Sequence, residues 1–376
     1  MSERRLRSVV VGMSSTQICG VRDHATLLSE GLGAAGVECS IDWLTRREPS
    51  LRGARAEVGA WAERLERDLR LERPDFVLLH YSVFAFAFKG VPLFVHPVTR
   101  ALRRAGVPVL TIVHEAVYPW TIGGLRGKLW ALTQRALLIE VMRVSRGVLV
   151  TADFRVQWLD SRPWLAHRPL ALAPVFSNLP SPREDARSEG ADATIGLFGY
   201  SYEGAAVSLV LDGLALLREQ FADAKLLLLG APGRPSSASE AWELAARERG
   251  LERALSFTGK LAAQDLADAL AGCAVLLFVN AGGPSSRKGT LAGSLGSGAP
   301  VVALDGPRRW SEIHDGEALR LVGADPRDLA DAVAELLSDE EMRDALGARG
   351  RAFAERRMSV ARTAEAVVGL LAQAGI

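Results

Sequence analysis

Apolar residues along the chain occur in short runs that alternate with longer stretches in which they recur every three or four positions. The short runs predict buried strands, and the periodic stretches predict amphipathic helices. Strands and helices that alternate strictly form parallel sheets with helices on both faces. We therefore predict an α/β protein with two doubly wound, Rossmann-like domains that face a cleft.

The predicted elements fall into two series. In the first, strands are expected at 9–11, 38–44, 75–80, 107–115, 148–151 and 169–174, and helices around 27–32, 55–70, 98–104 and 136–144. In the second, strands are expected at 194–199, 225–230, 255–258, 275–279, 300–303 and 318–322, and helices at 206–221, 238–249, 261–273, 326–337, 339–357 and 360–374. Each series is long enough for a domain with its own core.

A change in composition separates the two series. The segment SNLPSPREDARSEGADA, residues 177–193, is polar, charged and punctuated by proline, which is typical of a linker. We therefore expect an amino-terminal domain over 1–178, a linker over 179–193 and a carboxyl-terminal domain over 194–358. A last helix over 359–376 follows them.

Composition and charge exclude several classes of protein. Hydrophobic residues make up 48% of the 376 residues and charged residues 24%, as in a soluble globular protein. The formal net charge of +1 provides no overall field for nucleic acid, so we expect no nucleic-acid partner. The three cysteines, Cys19, Cys39 and Cys273, have neither metal-ligand spacing nor a disulfide pattern. No run approaches the roughly 18 apolar residues of a membrane span, and the start lacks a secretory signal, so we expect a cytoplasmic protein.

One segment of the first series mixes aromatic and basic residues. Trp120, Arg126, Lys128, Trp130 and Arg135 precede the predicted apolar helix at 136–144. One interpretation is a basic aromatic face beside a ligand or against a lipid surface, which would make the protein a peripheral membrane protein. The other, which we favour, is a partly buried helix whose cations extend along apolar surface to reach water.

The segment AVLLFVNAGGPSSRKGTLAGSLGSGAPVVA, residues 274–303, predicts a strand, a loop, a short helix and a strand. The loop is rich in Gly and Ser, and Arg287 and Lys288 stand at the start of the helix. Unpaired backbone N–H groups at a helix start, with two cations beside them, suit an anionic group such as a diphosphate. The alternative is a plain solvated loop.

Polar residues follow the predicted strands of the first series. A long loop with Gly20 follows the first strand, His80 ends the third, and His114 and Glu115 end the fourth. Because parallel strands end at one edge of the sheet, and open α/β sheets bind ligands there, these residues mark a second candidate site.

The order of several fragments resembles a known family. TIGLFGYSYEG, LLLLGAPG, LSFTGKL, LAAQDLADALAGCAVLLFVNA, LAGSLGSGAPVVA and AFAERRMSV follow one another as in the donor domain of GT-B glycosyltransferases, in particular the retaining group called family 4. In the first half, ICGVRDHATLLSEGLGAAGVE resembles the acceptor-domain glycine loop and helix of that family, and TIVHEA resembles its histidine strand.

The resemblance implies transfer of a sugar from a nucleoside diphosphate, UDP or GDP, with retention at the anomeric carbon. It implies that Arg287 and Lys288 stabilise the leaving diphosphate, that Gly20 approaches it, and that His114 lies beside the reacting sugar. The donor-binding residues would be Gly20, Gly199, Gly230, Thr258, Gly259, Ser285, Ser286, Gly289, Thr290 and Leu291. The residues on the acceptor side would be Asp23, His80 and Glu115, and the acceptor would be a small molecule, a glycan or a lipid-linked group.

The chain departs from the family pattern in two places. The family usually has two glutamates with seven residues between them, and the corresponding positions here are Ser285 and Gly293. The family also tends to have a basic residue for the diphosphate after the first strand of the donor domain, and residues 199–205 contain none.

Two further expectations follow. The chain has no Asp-x-Asp motif and no His or carboxylate cluster with metal spacing, so we expect no metal and no cofactor besides the donor sugar. The missing glutamates leave two alternatives to a transferase. These are a nucleotide-sugar-binding relative without catalysis and a GT-B epimerase.

Overall fold

The structure, a computed structural model, describes residues 5–17, 19–162, 165, 168–186, 193–200 and 204–376. Residues 187–192 of the predicted linker lie outside this range, as do residues 201–203 of the loop that follows the first strand of the second series. The chain divides into two compact units. The first comprises Met1–Pro174 together with Val360–Ile376, and the second comprises Val175–Ser359.

The first unit is built on a parallel six-stranded sheet. Its strands are β1 Leu6–Ser14, β2 Val37–Thr45, β3 Phe76–Ser82, β4 Val109–Glu115, β5 Ser145–Val150 and β6 Leu170–Leu172, in the order β2-β1-β3-β4-β5-β6. The helices are α1 Gly20–Ala34, α2 Leu51–Glu72, α3 Val95–Ala105, α4 Gly124–Val144 and α5 Asp153–Asp160. All seven residues of β3 are buried, because helices cover both faces of a parallel sheet.

The second unit repeats this design. Its strands are β7 Thr194–Phe198, β8 Lys225–Leu229, β9 Leu255–Gly259, β10 Val275–Phe278, β11 Val301–Leu304 and β12 Arg320–Val322, in the order β12-β11-β10-β7-β8-β9. The helices are α6 Gly204–Leu217, α7 Ser237–Arg247, α8 Ala263–Ala271, α9 Gly289–Ser297, α10 Pro326–Ser338 and α11 Glu340–Arg357. The strand order is that of a classical dinucleotide-binding sheet. Two doubly wound parallel sheets confirm the predicted α/β fold class.

Each strand order contains one point where the chain reverses its direction across the sheet. In the first unit this switch point lies between β1 and β3, and in the second it lies between β7 and β10. The loops that leave the carboxyl ends of these two strand pairs diverge and leave a crevice, which is where open α/β sheets bind ligands. We therefore expect ligand-binding residues in the loops after β1, β3, β7 and β10.

The last helix of the chain, α12 Val360–Gln373, belongs to the first unit. It packs on α1 and β5 through two glycines. A side chain at Gly31 would collide with Val360, and a Cβ atom at Gly147 would lie 2.8 Å from Cγ of Leu370. The glycines allow the helix to approach α1 and β5 closely.

The structure has the favoured partly buried helix in the region of α4, but the predicted start of this helix was wrong. The predicted helix at 136–144 begins twelve residues earlier, at Gly124, so Arg126, Lys128, Trp130 and Arg135 lie within the helix rather than before it. Three glycines at 123, 124 and 127 lower the helix propensity of this segment, so the sequence pattern did not predict a helix there. Helix α5 was not predicted at all. The other predicted elements are present, and their ends differ by no more than four residues except at α1, which begins at Gly20, seven residues before the predicted start.

Candidate functional sites

The loop between β10 and α9 lies at the switch point of the second unit. Ser285 and Ser286 are buried, and Arg287 and Lys288 are half-buried beside them. The backbone N–H of Val175 donates a 2.8 Å hydrogen bond to the carbonyl oxygen of Ser286, which fixes the loop from the amino-terminal end of the unit. Arg287 and Lys288 therefore lie on a loop that a backbone hydrogen bond holds in place.

Helix α9 begins directly after these cations. Lys288, the residue before the helix, has an extended backbone with φ −105° and ψ 108°, and no side chain among the described residues caps the helix start. The N–H groups of the first turn of a helix have no acceptor within the helix, and they carry partial positive charge. Those of Gly289 and Thr290 are thus available to an anionic ligand.

The loop after β7 meets the start of α9. Gly199 has a φ of +73°, and a Cβ atom there would lie 3.0 Å from Cγ2 of Thr290. Glycine at position 199 avoids this close contact with Thr290. The structure therefore brings Gly199 together with Gly289 and Thr290.

The predicted donor residues Gly230, Thr258 and Gly259 form a second group on the adjacent strands. The N–H of Gly230 donates a 3.0 Å hydrogen bond to Oγ1 of Thr258. Gly230 and Gly259 have φ values of +86° and +66°, and a Cβ atom at Gly233 would lie 3.1 Å from Cα of Gly259. Backbone rather than side chains therefore lines this edge of β8 and β9.

Two predicted donor positions have different surroundings from the others. The side chain of Leu291 is fully buried in the unit's interior, so only its backbone is available to a ligand. Gly293, at the second glutamate position of the family pattern, faces an aromatic ring. A Cβ atom at Gly293 would lie 3.0 Å from Cε1 of Phe198 and 3.5 Å from Cδ1 of Leu179.

In the first unit, three histidines meet near the switch point. His24 lies on α1, His80 on β3 and His114 on β4, and they are 3%, 1% and 9% exposed. Nδ1 of His80 and Nε2 of His114 are 3.0 Å apart, a hydrogen-bond distance, and their rings are stacked. The ring of His24 lies edge-on to both, with centroids 5.0 Å from His114 and 5.7 Å from His80.

Burial keeps the three imidazoles neutral. Desolvation lowers the pKa of His24 to about 3. Desolvation also holds the pKa of His80 and of His114 well below the ordinary value of 6.5, and the neighbouring His24 lowers both pKa values further. In a hydrogen-bonded pair of neutral imidazoles one ring donates and the other accepts, so the tautomers of His80 and His114 are coupled.

The other predicted residues of this unit differ in their exposure to solvent. Glu115 is half-buried and accepts a 2.8 Å hydrogen bond from the hydroxyl of Ser82. Asp23 and Gly20 are exposed in the first turn of α1, and no atom lies within 4 Å of where a side chain at Gly20 would begin. His80 is buried against His114, so in this structure it offers no surface to an acceptor.

Sequence reasoning missed His24. On α1 it lies at helical spacing from Leu28 and Leu32, both of which are buried, and this spacing is the signal that could have placed it on the inner face.

The three histidines are also a candidate metal-ligand set. One ring nitrogen from each lies within 4.8 Å of the others, and no other such group occurs among the residues that the structure describes. A neutral imidazole is the form that binds transition metals such as Zn²⁺. Local spacing could not reveal this set, because the residues come from three separate elements.

A sequence comparison identifies one part of the chain. Residues 192–339 match the family model of "Glycosyl transferases group 1". A comparison with curated proteins gives no match. No helix of the described residues is long and apolar enough to span a membrane.

Solved structures resemble the chain over almost its full length. Sucrose-phosphate synthase from Thermosynechococcus elongatus matches with a TM-score of 0.72 and 17% identity, over 98% of this chain and 99% of that one. Anabaena HepE in complex with UDP and glucose matches with a TM-score of 0.72 and 13% identity, over 98% and 99%. A glycosyltransferase from Rickettsia africae matches with a TM-score of 0.72 and 11% identity, over 98% of both chains. The chain therefore has the two-domain GT-B fold, and the part of it that matches a sequence family matches the glycosyl transferases of group 1.

Proposed function

We propose that the protein is a glycosyltransferase that transfers a sugar from a nucleoside diphosphate to an acceptor with retention of anomeric configuration. The observation that carries this proposal is the start of α9. Its N–H groups and two cations lie at the switch point of a sheet with the dinucleotide-binding strand order. The match of residues 192–339 to group 1 glycosyl transferases supports the same conclusion.

On the donor side, the difficult step is the departure of a diphosphate from an oxocarbenium-like carbon. Negative charge then develops on the leaving oxygen, and donors that are already in place stabilise it without reorganisation. The N–H groups of Gly289 and Thr290 and the side chains of Arg287 and Lys288 fill this role. Charge-assisted hydrogen bonds of this type are about twice as strong as neutral ones.

The nucleoside is held mainly by backbone in this proposal. Gly230, Thr258 and Gly259 offer backbone to a planar base, with the ring of Phe198 3.3 Å from the Cβ position of Gly230. Gly293 has no carboxylate for the ribose, and Phe198 fills the space beside it. We therefore propose that the diphosphate contacts provide most of the affinity for the donor. The hydroxyl groups of Ser285 and Ser286 lie next to these contacts.

On the acceptor side, His114 is the proposed catalytic group. Nε2 of His114 is bonded to His80, so the other ring nitrogen, Nδ1, is the one that can accept or donate a hydrogen bond to the acceptor or the sugar. Glu115 and Asp23 are proposed acceptor contacts, and Gly20 a backbone contact to the donor phosphate. The step requires no metal, because backbone N–H groups and cations neutralise the diphosphate.

The first donor to test is UDP-glucose. The Anabaena structures that share the fold contain UDP, UDP with glucose, or UDP-glucose. UDP is accordingly our proposed leaving group, with GDP as the alternative. The acceptor is a small molecule, a glycan or a lipid-linked group.

Calorimetric titration with a panel of UDP-, GDP- and dTDP-sugars, with and without EDTA, tests this function. We expect binding of at least one donor, followed by slow hydrolysis that EDTA does not change. An epimerase would instead convert the sugar while it remains on the nucleotide. A binding protein without catalysis would bind the donor and leave it intact. Failure to bind any donor would rule out the transferase and both of these alternatives.

A further inference from the structure

The outer face of α4 exposes an unusual group of apolar side chains. Five of the eleven large apolar side chains that are exposed among the described residues lie between positions 120 and 132. These are Trp120, Ile122, Leu125, Leu129 and Leu132, which we call the α4 patch. Their exposed fractions are 47%, 53%, 87%, 53% and 59%. The remaining six are scattered singly over the two units.

The helix has two apolar faces. Leu125, Leu129 and Leu132 follow one another at spacings of four and three, so they share one face. The opposite face is already buried in the unit, with Ala131, Leu138 and Val141 inside. The α4 patch is therefore not needed for the fold of the first unit. Such an outer face normally carries polar residues, and a contiguous exposed apolar patch indicates a binding surface.

The charges around the patch identify its partner. Arg126 and Lys128 are exposed on the same turns, and residues 116–139 contain no Asp or Glu. The guanidinium of Arg126 lies 4.7 Å from the ring centre of Trp130, and that of Arg135 lies 4.5 Å from that of Trp120. Leucines bordered by cations and tryptophan are the composition of helices that lie in the interface of an anionic bilayer.

The patch is also held rigidly. Arg135 donates hydrogen bonds to the carbonyl oxygens of Tyr118 and Ala131, at 3.0 and 2.8 Å. The side chain of Gln134 bonds the backbone N–H of Tyr118 at 2.6 Å and the carbonyl oxygen of Gly90 at 2.9 Å. The loop before α4 is thus fixed to the helix, and Trp120 packs on Arg135 of the same helix. Binding does not have to order this surface first, which lowers its cost.

We infer that the α4 patch is a docking surface for an anionic lipid bilayer, on which the leucines enter the headgroup region while Arg126 and Lys128 contact lipid phosphates. The surface follows β4, whose end carries His114, after a connection of residues 116–123. It thus adjoins the proposed acceptor side of the first unit. Docking itself does not depend on the proposed transferase activity, and it can be tested without any donor.

Co-sedimentation of the full chain with vesicles tests this inference. We expect binding to vesicles of equimolar phosphatidylcholine and phosphatidylglycerol, and much weaker binding to phosphatidylcholine alone. Leu125→Glu with Leu129→Glu should weaken binding by at least about tenfold, because two leucine side chains no longer enter the interface. Arg126→Gln with Lys128→Gln should weaken binding to the anionic vesicles by about fivefold for each cation, and not affect phosphatidylcholine.

Leu71→Glu is the matched control, since Leu71 is 75% exposed on α2 and lies outside the patch. This variant should bind like the wild type, and unchanged circular dichroism and melting temperature should show that all variants fold. The inference is overturned if the wild type does not sediment with anionic vesicles or if Leu71→Glu loses binding as the patch variants do. It is also overturned if the lipid-free chain is a dimer that Leu125→Glu with Leu129→Glu dissociates, because a second copy then covers the patch.

Discussion

A Cβ atom at Gly293 would lie 3.0 Å from Cε1 of Phe198. Phe198 ends β7 at the switch point, and Gly293 lies in the second turn of α9. The ring occupies the space into which a side chain at position 293 would extend. The contact between these two elements therefore favours glycine at this position.

This packing predicts the effect of restoring a side chain. Gly293→Ala should destabilise the protein by about 1–3 kcal/mol, because the added methyl group displaces the Phe198 ring. Gly296→Ala on the same helix is the matched control, since no atom lies within 4 Å of its added Cβ atom. That variant should be neutral or more stable by up to about 1 kcal/mol. Urea unfolding measures both, and equal stabilities would show that Phe198 yields without cost.

The diphosphate contacts predict a second result. Arg287→Ala with Lys288→Ala should weaken the binding of UDP by about 2 kcal/mol or more, because two charge-assisted contacts are lost. Arg253→Ala removes an exposed cation elsewhere in the second unit and should leave affinity unchanged. Calorimetry with UDP measures each variant. Unchanged affinity for UDP in the double variant would contradict binding of the diphosphate at this loop.

The histidine cluster predicts that acid destabilises the protein. The pKa of His24 is about 3 in the folded protein and close to 6.5 in the unfolded chain. Above about pH 6.5 neither state holds the proton, so stability is unaffected. As the pH falls from 6.5 towards 3, only the unfolded chain takes up the proton. Each such histidine then removes up to about 1.4 kcal/mol per pH unit.

Denaturant unfolding in EDTA at about pH 7 and about pH 5 measures this slope. We expect His24→Gln to lose less stability over this interval than the wild type. The same slope in both proteins would mean that the cluster is not held neutral by burial.

The contact of α12 with β5 predicts a stability effect in the first unit. Gly147→Ala should destabilise the protein by about 1–3 kcal/mol, because the added Cβ atom would overlap Leu370 and Leu110. Gly369→Ala lies on α12 itself with no atom within 4 Å of its Cβ position, and it should be neutral or stabilising. Thermal unfolding of both variants measures the difference. An unaffected Gly147→Ala would mean that the helix can shift away from β5 without cost.

Much of the fold could be predicted because parallel strands are buried on both faces. Residues 76–79 of β3 and all four residues of β10 are then apolar, so they stand out from their surroundings. The start of α4 could not be predicted in this way, because glycine lowers its propensity and its leucines face outward rather than into the core. The pattern of apolar residues indicates burial within the chain, so it does not identify a surface that binds something outside the chain.

The candidate sites could be predicted where their residues are consecutive or lie at the ends of parallel strands. The cations and serines of the loop before α9 are consecutive, so a motif reveals them. His80 and His114 end parallel strands and could be predicted at one edge of the sheet, whereas His24 joins them from α1. The role of Phe198 could not be predicted, because it arises from contact with a glycine on another element.

Proton NMR of the protein incubated with UDP-glucose and without acceptor tests retaining sugar transfer. Water then serves as the acceptor, and we expect UDP and glucose to appear at equal rates, with α-glucose as the first anomer before mutarotation. We also expect Arg287→Ala with Lys288→Ala to slow this reaction and EDTA to leave it unchanged. Formation of β-glucose first would contradict retention, and the absence of hydrolysis with every UDP-, GDP- and dTDP-sugar would contradict the proposed transferase.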